Sequence, residues 1–452
     1  MHFELTKKFV EQVINIIENK DNKAAITLIE ELHAADIAEL YDELDIEQAK
    51  FLYLLLDTEK AADVIAELEE DDREKFLAAV PSDVIAKQFI EEMDSDDAAD
   101  VLADLSEKKK DEVLSHIIDL EQAGDIVDLM NYDKDTAGGL MGKEFISANI
   151  NWTVEECIRE VRKMSEEVDE IYFLYIIDDN EKLTGIVSIK DLILNQRSTK
   201  ICDICNHDVI KTNTEVSAED VANAMDKYDL VSMPVTDSIG RLVGRITIDD
   251  VVDVIREEAE KDYQLASGIV EDIETTDSVI VQTRARLPWL LIGMTGGIVG
   301  ALIIGYYQND IIKYVGLALF LPMIAAMAGN VGVQSSAIVV QGLASKSMGV
   351  EGIPKKLLKE LFIGLINGII CSAIVLVYNI ITADSLALTI TVSSALFIVI
   401  VFASVFGTFT PLILDKFKID PALATGPFIT TVNDIIGVFI YLTIGSIIFE
   451  IF

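Results

Sequence analysis

Asp434 is a carboxylate within the last apolar segment of the chain, and something must balance its charge. No charged residue lies between 421 and 433, and apolar sequence resumes after Asp434 and runs to 449. An ionised carboxylate at membrane depth costs roughly 2.5 to 3.5 kcal/mol on insertion scales, and it usually faces a partner or an aqueous path. The long apolar segments contain no Lys or Arg. The pattern favours a mobile cation as the partner of Asp434, and the alternative is a protonated Asp434 bonded to a neighbouring helix.

A stripe of small and polar residues accompanies this carboxylate. If the segment forms one helix, residues that follow at steps of four, four, three and four share a face, namely Gly426, Thr430, Asp434, Gly437 and Tyr441. A second polar stretch, GNVGVQSS at 329–336, lies in an uncharged run of 32 residues. That run is longer than one crossing and contains Pro322, so it predicts a tilted or locally broken helix that lines a cavity.

Clustered acids in the first half suggest a second kind of cation binding. Asp96 and Asp100 share one face of a predicted helix, and Asp249 and Asp253 share a face of another. Two such clusters brought together repel each other unless a divalent cation lies between them. Most acids remain expected on a solvated surface, where salt screens charges over roughly 8 Å. The candidate regulatory metal ligands are Asp96, Asp97, Asp100, Asp249, Asp250, Asp253, Glu257 and Glu258.

The charges are divided unevenly along the chain. Of the 452 residues, 36 are Lys or Arg and 77 are Asp or Glu, a net charge of −41, yet 51% are hydrophobic. From Leu287 onward there are only 8 acids and 7 bases, so 69 acids and 29 bases precede it. An acidic half that faces water is therefore followed by an apolar half. Nucleic-acid binding is excluded because clusters of Lys and Arg are missing, and so is a soluble monomer.

The apolar half contains five uncharged or nearly uncharged runs, 287–309, 314–345, 361–383, 385–414 and 421–449. Since roughly 20 apolar residues cross the hydrocarbon core, they predict five transmembrane helices. Basic residues near the ends of the runs favour one side by eight to one, which predicts a plasma-membrane protein with a cytoplasmic N-terminus and an extracellular C-terminus. These residues are Arg284, Arg286, Lys346, Lys355, Lys356, Lys359, Lys416 and Lys418 against Lys313. No signal peptide is expected, and the four cysteines are predicted to be reduced thiols.

Two kinds of repeat organise the acidic half. Residues 1–130 contain a recurring theme that starts at positions 35, 62, 82 and 99 with Ala or Ser followed by Asp and then by apolar residues at helical spacing. The theme predicts a superhelix of short helices. Farther on, a strand at 171–177, a turn, a strand at 183–188 and a helix are followed by the same order at 233–247. Gly185 and Gly244, which lie 59 residues apart, mark the two copies.

The motifs of these copies, GIVSIKD from Gly185 and GRITIDD from Gly244, resemble the signature of cystathionine-β-synthase (CBS) domains. In that family the Ser or Thr and the Asp contact the phosphate and ribose of an adenine nucleotide. The resemblance implies Ser188, Asp191, Thr247 and Asp250 as nucleotide-binding residues, with ATP or another adenine nucleotide as ligand. The alternative is that the hydroxyls only cap the following helices.

The order of all segments, ending in GNVGVQS and DPALATGP-x-x-TT-x-x-D, resembles the MgtE family of magnesium channels. One departure is Ala328, where the family often has a glycine. The resemblance implies a multidomain fold class: an α-helical superhelix domain, an α/β tandem CBS pair and an all-α polytopic membrane domain with five transmembrane helices. The corresponding boundaries are 1–130, 131–253 (copies at about 136–200 and 201–253), a connecting helix in 254–283, and 284–452.

The same resemblance implies a homodimeric Mg²⁺ channel, not an enzyme, that is gated by cytosolic Mg²⁺. A helix from about 254 to 279 would close the pore when Mg²⁺ joins the acidic domains. Paired carboxylates suit Mg²⁺, which dehydrates reluctantly and is often held through its waters. The pore ion-binding candidates are Asp434, Thr430, Thr431, Asn433, Asn330 and Asp420. The alternatives are an antiporter coupled to Na⁺ or H⁺ and a membrane-anchored CBS sensor that transports nothing.

Overall fold

The computed structural model describes residues 5–30, 32–164, 168, 171–270, 273, 278–344, 352–382, 385–424 and 426–452. Lys346 of the orientation argument and Thr425 of the last motif lie outside these residues. The chain divides into two compact units, Met1–Ile255 and Arg256–Phe452. The acidic half therefore forms one unit, and the apolar half forms the other together with the segment that leads into it.

The first part of the acidic unit is built from ten short helices, which confirms the predicted helical domain. Side chains buried at helical spacing, such as Val10, Val13 and Ile17, turn one face of each helix towards a shared core. The helices are α1 (Lys7–Glu18), α2 (Asn22–Ile29), α3 (Ala34–Ala38), α4 (Ile46–Tyr53), α5 (Thr58–Ala66), α6 (Glu70–Ala78), α7 (Ser82–Gln88), α8 (Ser95–Ala103), α9 (Glu107–Leu114) and α10 (Leu120–Leu129), with 3-10 turns at Tyr41–Glu43 and Ile90–Glu92.

Long polar side chains tie successive turns of this superhelix together. Lys60, Lys109 and Gln122 each occupy the third position of a helix, and each donates to backbone carbonyls 29 to 32 residues earlier. Lys60 Nζ, for example, donates to Glu30 O at 2.8 Å, just after α2. The last carbonyls of a helix lack partners within that helix. These three side chains therefore supply hydrogen bonds to carbonyls at the helix ends in the preceding turn of the superhelix.

The two predicted repeats form two three-stranded sheets of identical topology, which confirms the tandem CBS pair. In each sheet the first strand is parallel to the second, and the second is antiparallel to the third. Gly185 lies opposite Ile176, and Gly244 lies opposite Val235, each next to a bulge. The strands are β1 (Ser147–Asn149), β2 (Phe173–Ile177), β3 (Leu183–Ser188), β4 (Thr212–Asn213), β5 (Ser232–Thr236) and β6 (Leu242–Thr247); the helices are α11 (Val154–Met164), α12 (Ile189–Leu194), α13 (Ala218–Lys227) and α14 (Ile248–Ala266), with a 3-10 turn at Ile201–Asp203.

The segment that precedes the first sheet is hydrogen bonded to the second copy. Gly142 exchanges two backbone hydrogen bonds with Arg245 of β6, at 2.8 and 3.0 Å, and Ala137 N donates to Val216 O. The motif spacing placed residues from about 136 onward in the first CBS copy. Their backbone hydrogen-bond partners, however, belong to the second copy. The exchange fastens the end of the helical domain to the strand that leads into α14.

Helix α14 ends at Ala266, so the predicted continuous helix from 254 to 279 is wrong in its extent. Gly268 has a φ of +82°, a left-handed conformation that ends helices. Val270 N then donates to Ala285 O. The boundary between the two units falls within α14, between Ile255 and Arg256.

Five long apolar helices in the described residues match the five predicted spans by length and composition. The second of them is continuous from Gly316 to Ala344 despite Pro322, so the local break considered for it does not occur. Of the glycines in the first span, Gly296 packs against Thr431, whereas Gly293, Gly297 and Gly300 meet no neighbour. The helices are α15 (Val279–Tyr306), α16 (Gln308–Lys313, short), α17 (Gly316–Ala344), α18 (Ile353–Thr382), α19 (Leu386–Lys416) and α20 (Gly426–Ile451), with a 3-10 turn at Pro421–Ala424.

Candidate functional site

Asp434 packs against the polar stretch of α17. A side-chain carbon built at Gly329 would lie 2.9 Å from Asp434 Oδ1 and 3.0 Å from Thr430 Cγ2. Asp434 Oδ1 is buried and has no hydrogen-bond partner among the described residues. Farther along the same face, Gly437 meets Ala328, and Tyr441 donates to Leu317 O at 2.9 Å. The stripe inferred from the spacing is therefore the face of α20 that contacts α17.

The two other polar candidates near Asp434, Thr431 and Asn433, contact different residues from those that Asp434 contacts. Thr431 packs against Gly296 of α15. Asn433 is fully buried against Gly332 of α17, with both amide atoms unpartnered among the described residues. Thr430 shares the face of Asp434, and its hydroxyl donates to Gly426 O at 2.8 Å. Of the three threonine and asparagine candidates on α20, the structure thus brings Thr430 next to the carboxylate.

The remaining two pore candidates lie at exposed positions of this chain. Asn330 follows Gly329 on α17, and its side chain is exposed. Asp420 is also exposed, and its Oδ1 accepts a hydrogen bond from Ala422 N at 2.8 Å, which starts the 3-10 turn before α20. Neither side chain makes a described contact with Asp434. An asparagine or aspartate at such a position remains open to solvent or to another subunit.

The start of the Asp434 helix touches the end of α14. Gly426 has a φ of +44°, and a side-chain carbon there would overlap the Ala266 carbonyl oxygen. A side chain at Gly268 would meet Pro427 Cγ at 2.5 Å. Both glycines therefore allow two backbones to pass closely in a conformation that other residues rarely adopt. The contact joins the connecting helix to the helix that carries Asp434.

In the acidic unit, three carboxylates converge at the start of α8. Oxygen atoms of Asp94, Asp96 and Glu144 all lie within 4.8 Å of one another. Glu144 is held in place because its two oxygens accept from Ser95 N at 2.9 Å and from Ser95 Oγ at 3.1 Å. Three oxygens at this spacing form a donor set of the kind that Mg²⁺ and Ca²⁺ prefer. This group of three is called the α8 acid group below.

The start of α14 adds negative charge to the α8 acid group. Burial and the nearby carboxylates of Asp250 and Asp97 hold the pKa of Asp96 well above its usual range. Burial raises the pKa of Asp97 to about 7, with a further contribution from Asp250. The pKa of Asp250 is raised by burial to about 6, although Thr247 opposes the rise through hydrogen bonds. The two predicted clusters are therefore adjacent. Arg73 lowers the pKa of Asp97 and Arg245 lowers that of Asp250, but burial and the neighbouring acids outweigh both arginines.

The other regulatory candidates divide among different surroundings. Asp100 has a pKa raised by burial and lowered by Arg73, which itself pairs with Asp104 at 2.7 Å. Asp253 is exposed and acts on a different acid, Glu67, whose pKa is raised by burial and by Asp253. Asp249 is exposed and contributes to the raised pKa of Asp250. Glu257 and Glu258 belong to the second unit, where Glu258 pairs with Lys261 at 3.3 Å.

In each of the two nucleotide motifs, the hydroxyl residue is hydrogen bonded to the Asp of the same motif. Ser188 Oγ lies 2.6 Å from Asp191 Oδ2, and Ser188 also accepts from Asp191 N as the cap of α12. Thr247 Oγ1 lies 2.5 Å from Asp250 Oδ2. Ser188 therefore performs the capping role, whereas Thr247 donates to Asp250 from its backbone N and its hydroxyl. A nucleotide would have to share or replace those hydrogen bonds. Asp250 also belongs to the charged surroundings of the α8 acid group.

Sequence reasoning missed Asp94, Glu144 and Glu67. Asp94 precedes the predicted Asp96 cluster by two positions, and its place as the residue before α8 was available as a signal. Glu144 reaches the cluster only because 136–142 is fastened to β6, which the spacing of motifs does not reveal. Glu67 directly follows α5 and gave no local signal.

Comparison with known families gives the context of both sites. Residues 321–444 match MgtE, described as a divalent cation transporter, and residues 32–135 match the MgtE intracellular N domain. Residues 137–197 and 201–257 match the CBS domain. A magnesium transporter MgtE of Enterococcus faecalis is 34% identical over 442 residues, 97% of each chain. The chain belongs to the MgtE family.

Two further relatives support the MgtE assignment. The magnesium transporter MgtE of Thermus thermophilus is 30% identical over 449 residues, which is 99% of this chain and 100% of that one. The solved cytosolic domain of the Mg²⁺ channel MgtE in complex with ATP is 31% identical, with a TM-score of 0.51, and covers 54% of this chain and 99% of that chain. With five apolar helices, this MgtE-family chain is a multi-pass membrane protein.

Proposed function

We propose that this chain is a subunit of a Mg²⁺-selective channel that admits Mg²⁺ across the plasma membrane. The observation that carries the proposal is Asp434, a carboxylate with a buried, unpartnered oxygen inside a candidate membrane span. A cation passing this face would supply the missing charge. The named relatives are magnesium transporters, which supports Mg²⁺ as the ion.

The permeation path is proposed to lie between two copies of the chain, with one Asp434 from each. Two carboxylates that hold the ion through its waters suit Mg²⁺. Thr430 shares the Asp434 face, while exposed Asn330 and Asp420 remain available to the path or to its cytoplasmic mouth. The proposed topology keeps the acidic unit in the cytoplasm and the C-terminus outside. Influx is then driven by the membrane potential.

Gating is proposed to start at the α8 acid group. Asp94, Asp96 and Glu144, joined by Asp97 and Asp250, would hold Mg²⁺ when its cytosolic concentration is high. The bound ion removes the repulsion between the start of α8 and the start of α14. Helix α14 ends against Gly426, so its position can reach the Asp434 helix and close the path. Loss of Mg²⁺ restores the repulsion and releases α14.

An adenine nucleotide is proposed as a modulator at the CBS pair, with the boundaries of the pair at about 131–253. The related cytosolic domain was solved with ATP. Ser188, Asp191, Thr247 and Asp250 would contact it by exchanging their internal hydrogen bonds. Because Asp250 also faces Asp96, nucleotide and Mg²⁺ binding would be coupled through that residue.

The permeation proposal is tested with Asp434→Asn, which removes the charge and keeps the size. Full-length protein is reconstituted in liposomes, and Mg²⁺ uptake is recorded with an internal Mg²⁺ dye. Removing one partner of a buried charge pair costs roughly 2 to 5 kcal/mol, so uptake is expected to fall at least about tenfold. Glu450→Gln, an exposed acid on the same helix, is the matched control and should transport normally. Normal uptake by Asp434→Asn would refute the pore assignment.

The same liposomes separate the channel from its two competitors. A channel moves Mg²⁺ with no gradient of Na⁺ or H⁺, whereas an antiporter stops when the counter-ion gradient is removed. A membrane-anchored sensor gives no uptake under either condition.

A further inference from the structure

Glu360 is an acid of the membrane unit that the proposed transport mechanism leaves unused. It lies about two turns into α18, which begins at Ile353. Its Oε1 accepts a hydrogen bond from Ser335 Oγ on α17 at 2.6 Å. None of the ion pairs among the described residues includes Glu360. Hydrogen bonds to an ionised acceptor are short and about twice as strong as neutral ones, so this contact can hold two helices together.

The face of α18 that carries Glu360 packs inside the unit rather than against lipid. Gly364 and Gly368 follow at steps of four and therefore share its face. A side-chain carbon at Gly364 would lie 3.0 Å from Ser404 Cβ, and one at Gly368 would lie 3.0 Å from Phe397, both on α19. Glu360 thus lies on the face of α18 that packs closely against α19, and its carboxylate is hydrogen bonded to α17.

Ser335 belongs to the part of α17 that supports the Asp434 helix. It is 5% exposed. At 1.5 Å per residue, it lies about 4.5 Å along α17 from Gly332 and about 9 Å from Gly329. Those glycines face Asn433 and Asp434 of α20. Glycines leave few side-chain atoms at these two contacts, and the Ser335–Glu360 hydrogen bond one turn farther along α17 adds a fixed point that helps to set which surface Asp434 meets.

We propose that Glu360 is a positioning residue for ion permeation, acting through Ser335 to fix the rotation and height of α17. The inference rests on the proposed role of Asp434. Positioning of α17 requires an acceptor oxygen at position 360 within hydrogen-bond distance of Ser335 Oγ. It does not require the negative charge of Glu360 to contact the ion. Glu360→Gln keeps both the length and an acceptor oxygen, whereas Glu360→Ala removes them.

The test measures Mg²⁺ uptake by full-length protein in liposomes over a range of external Mg²⁺ concentrations. Glu360→Ala and Ser335→Ala are each expected to lower the maximal rate about tenfold, the effect of losing one charge-assisted hydrogen bond. The half-saturating Mg²⁺ concentration should stay within about twofold of the wild type, because the ligands of the ion are retained. Glu360→Gln, which keeps a neutral hydrogen bond, should recover most of the rate. The double variant Glu360→Ala/Ser335→Ala should be no slower than either single variant.

Three results would overturn the inference: wild-type uptake by Glu360→Ala and Ser335→Ala, additive losses in the double variant, or loss in Glu360→Gln with normal Ser335→Ala. The last would mean that the charge itself acts. Asp434→Asn is measured in parallel, since normal uptake there refutes the pore assignment whatever Glu360 does. If Glu360→Ala cannot be recovered from membranes, Ser335→Ala, which removes one hydroxyl, decides the question.

Discussion

Carboxylates in this protein occupy two different surroundings. Asp434 stands against Gly329 among apolar helices. Asp97 and Asp250 stand among other acids. Their pKa values are raised by burial and by neighbouring carboxylates, Asp250 acting on Asp97 and Asp249 acting on Asp250. Under the proposed function, the first environment would attract an ion in transit, whereas the second would store repulsion that a bound ion relieves.

Replacing Asp97 with Asn is expected to stabilise the protein in the absence of divalent cations. The change removes one repelling charge beside Asp250. One pKa unit corresponds to about 1.4 kcal/mol, so a rise of several degrees in the melting temperature is expected. The stabilisation produced by added Mg²⁺ should shrink correspondingly. Thermal unfolding of the purified chain, with and without Mg²⁺, measures both effects.

Asp111→Asn is the matched control for that measurement, because Asp111 is an exposed acid on the neighbouring α9. It should leave both melting temperatures unchanged. A lower melting temperature for Asp97→Asn in Mg²⁺-free buffer would contradict the repulsion argument.

How well single residues could be predicted depended on whether their role was local. Asp434 was identifiable because the apolar runs contain no cation that could pair with it. Thr431 and Asn433 lie close to it in sequence but on other faces, since each helical step turns a side chain by about 100°. Glu144 depends on a contact between distant segments and has no local signature.

At the scale of elements, contacts across α17 determine how the membrane helices meet. Gly332 lies against Asn433 of α20, and a side chain at Gly407 of α19 would overlap the Gly332 carbonyl. Three helices therefore approach one another at a single small residue. This is the close packing that small residues permit in membranes.

Gly332→Ala is expected to destabilise the membrane unit. The added methyl group would overlap the Asn433 amide and approach Ile429 Cγ2. Overpacking typically costs about 1 to 3 kcal/mol, which should lower the melting temperature in detergent and reduce Mg²⁺ uptake. Gly297→Ala on α15 is the control, since nothing lies within 4 Å of that position in this chain. Equal stability of the two variants would argue against the three-helix contact.

Element types were largely predictable, while some element ends were not. Apolar runs of sufficient length gave the five spans, and the strand pattern at 183–188 gave β3 with its observed bounds. The end of α14 depends on the left-handed Gly268, and a glycine alone does not say whether a helix ends there. The partner of 136–142 depends on tertiary contacts, so its pairing with β6 was not predictable from the spacing.

At the scale of the whole molecule, the net charge of −41 has consequences for its response to pH. The folded chain keeps protons on Asp97 and Asp250 up to pKa values of about 7 and about 6. An unfolded Asp loses its proton near pH 3.9. Between these values the folded state binds more protons than the unfolded state, so stability falls as the pH rises through this window.

Mg²⁺-free protein is therefore expected to melt at a higher temperature at pH 5.5 than at pH 8. Saturating Mg²⁺ should raise the melting temperature more at pH 8 than at pH 5.5. At pH 8 the acids are ionised, so Mg²⁺ competes with fewer protons for the carboxylate oxygens. Scanning calorimetry of the full-length chain at both pH values provides the measurement. The double variant Asp97→Asn/Asp250→Asn should lose most of this dependence. A melting temperature that rises with pH in Mg²⁺-free buffer would contradict the assignment.

The hydrogen bonds of Lys60, Lys109 and Gln122 link each turn of the helical domain only to the turn before it, as in a linear stack. Each tie reaches back only 29 to 32 residues, so a turn of the superhelix is fastened to its neighbour and not to the far end. Such stacks open from their ends inward. Amide hydrogens should accordingly exchange in a gradient, fastest in α1 and slowest towards α8, so the acid group at α8 would stand on the slowest-exchanging part of the domain.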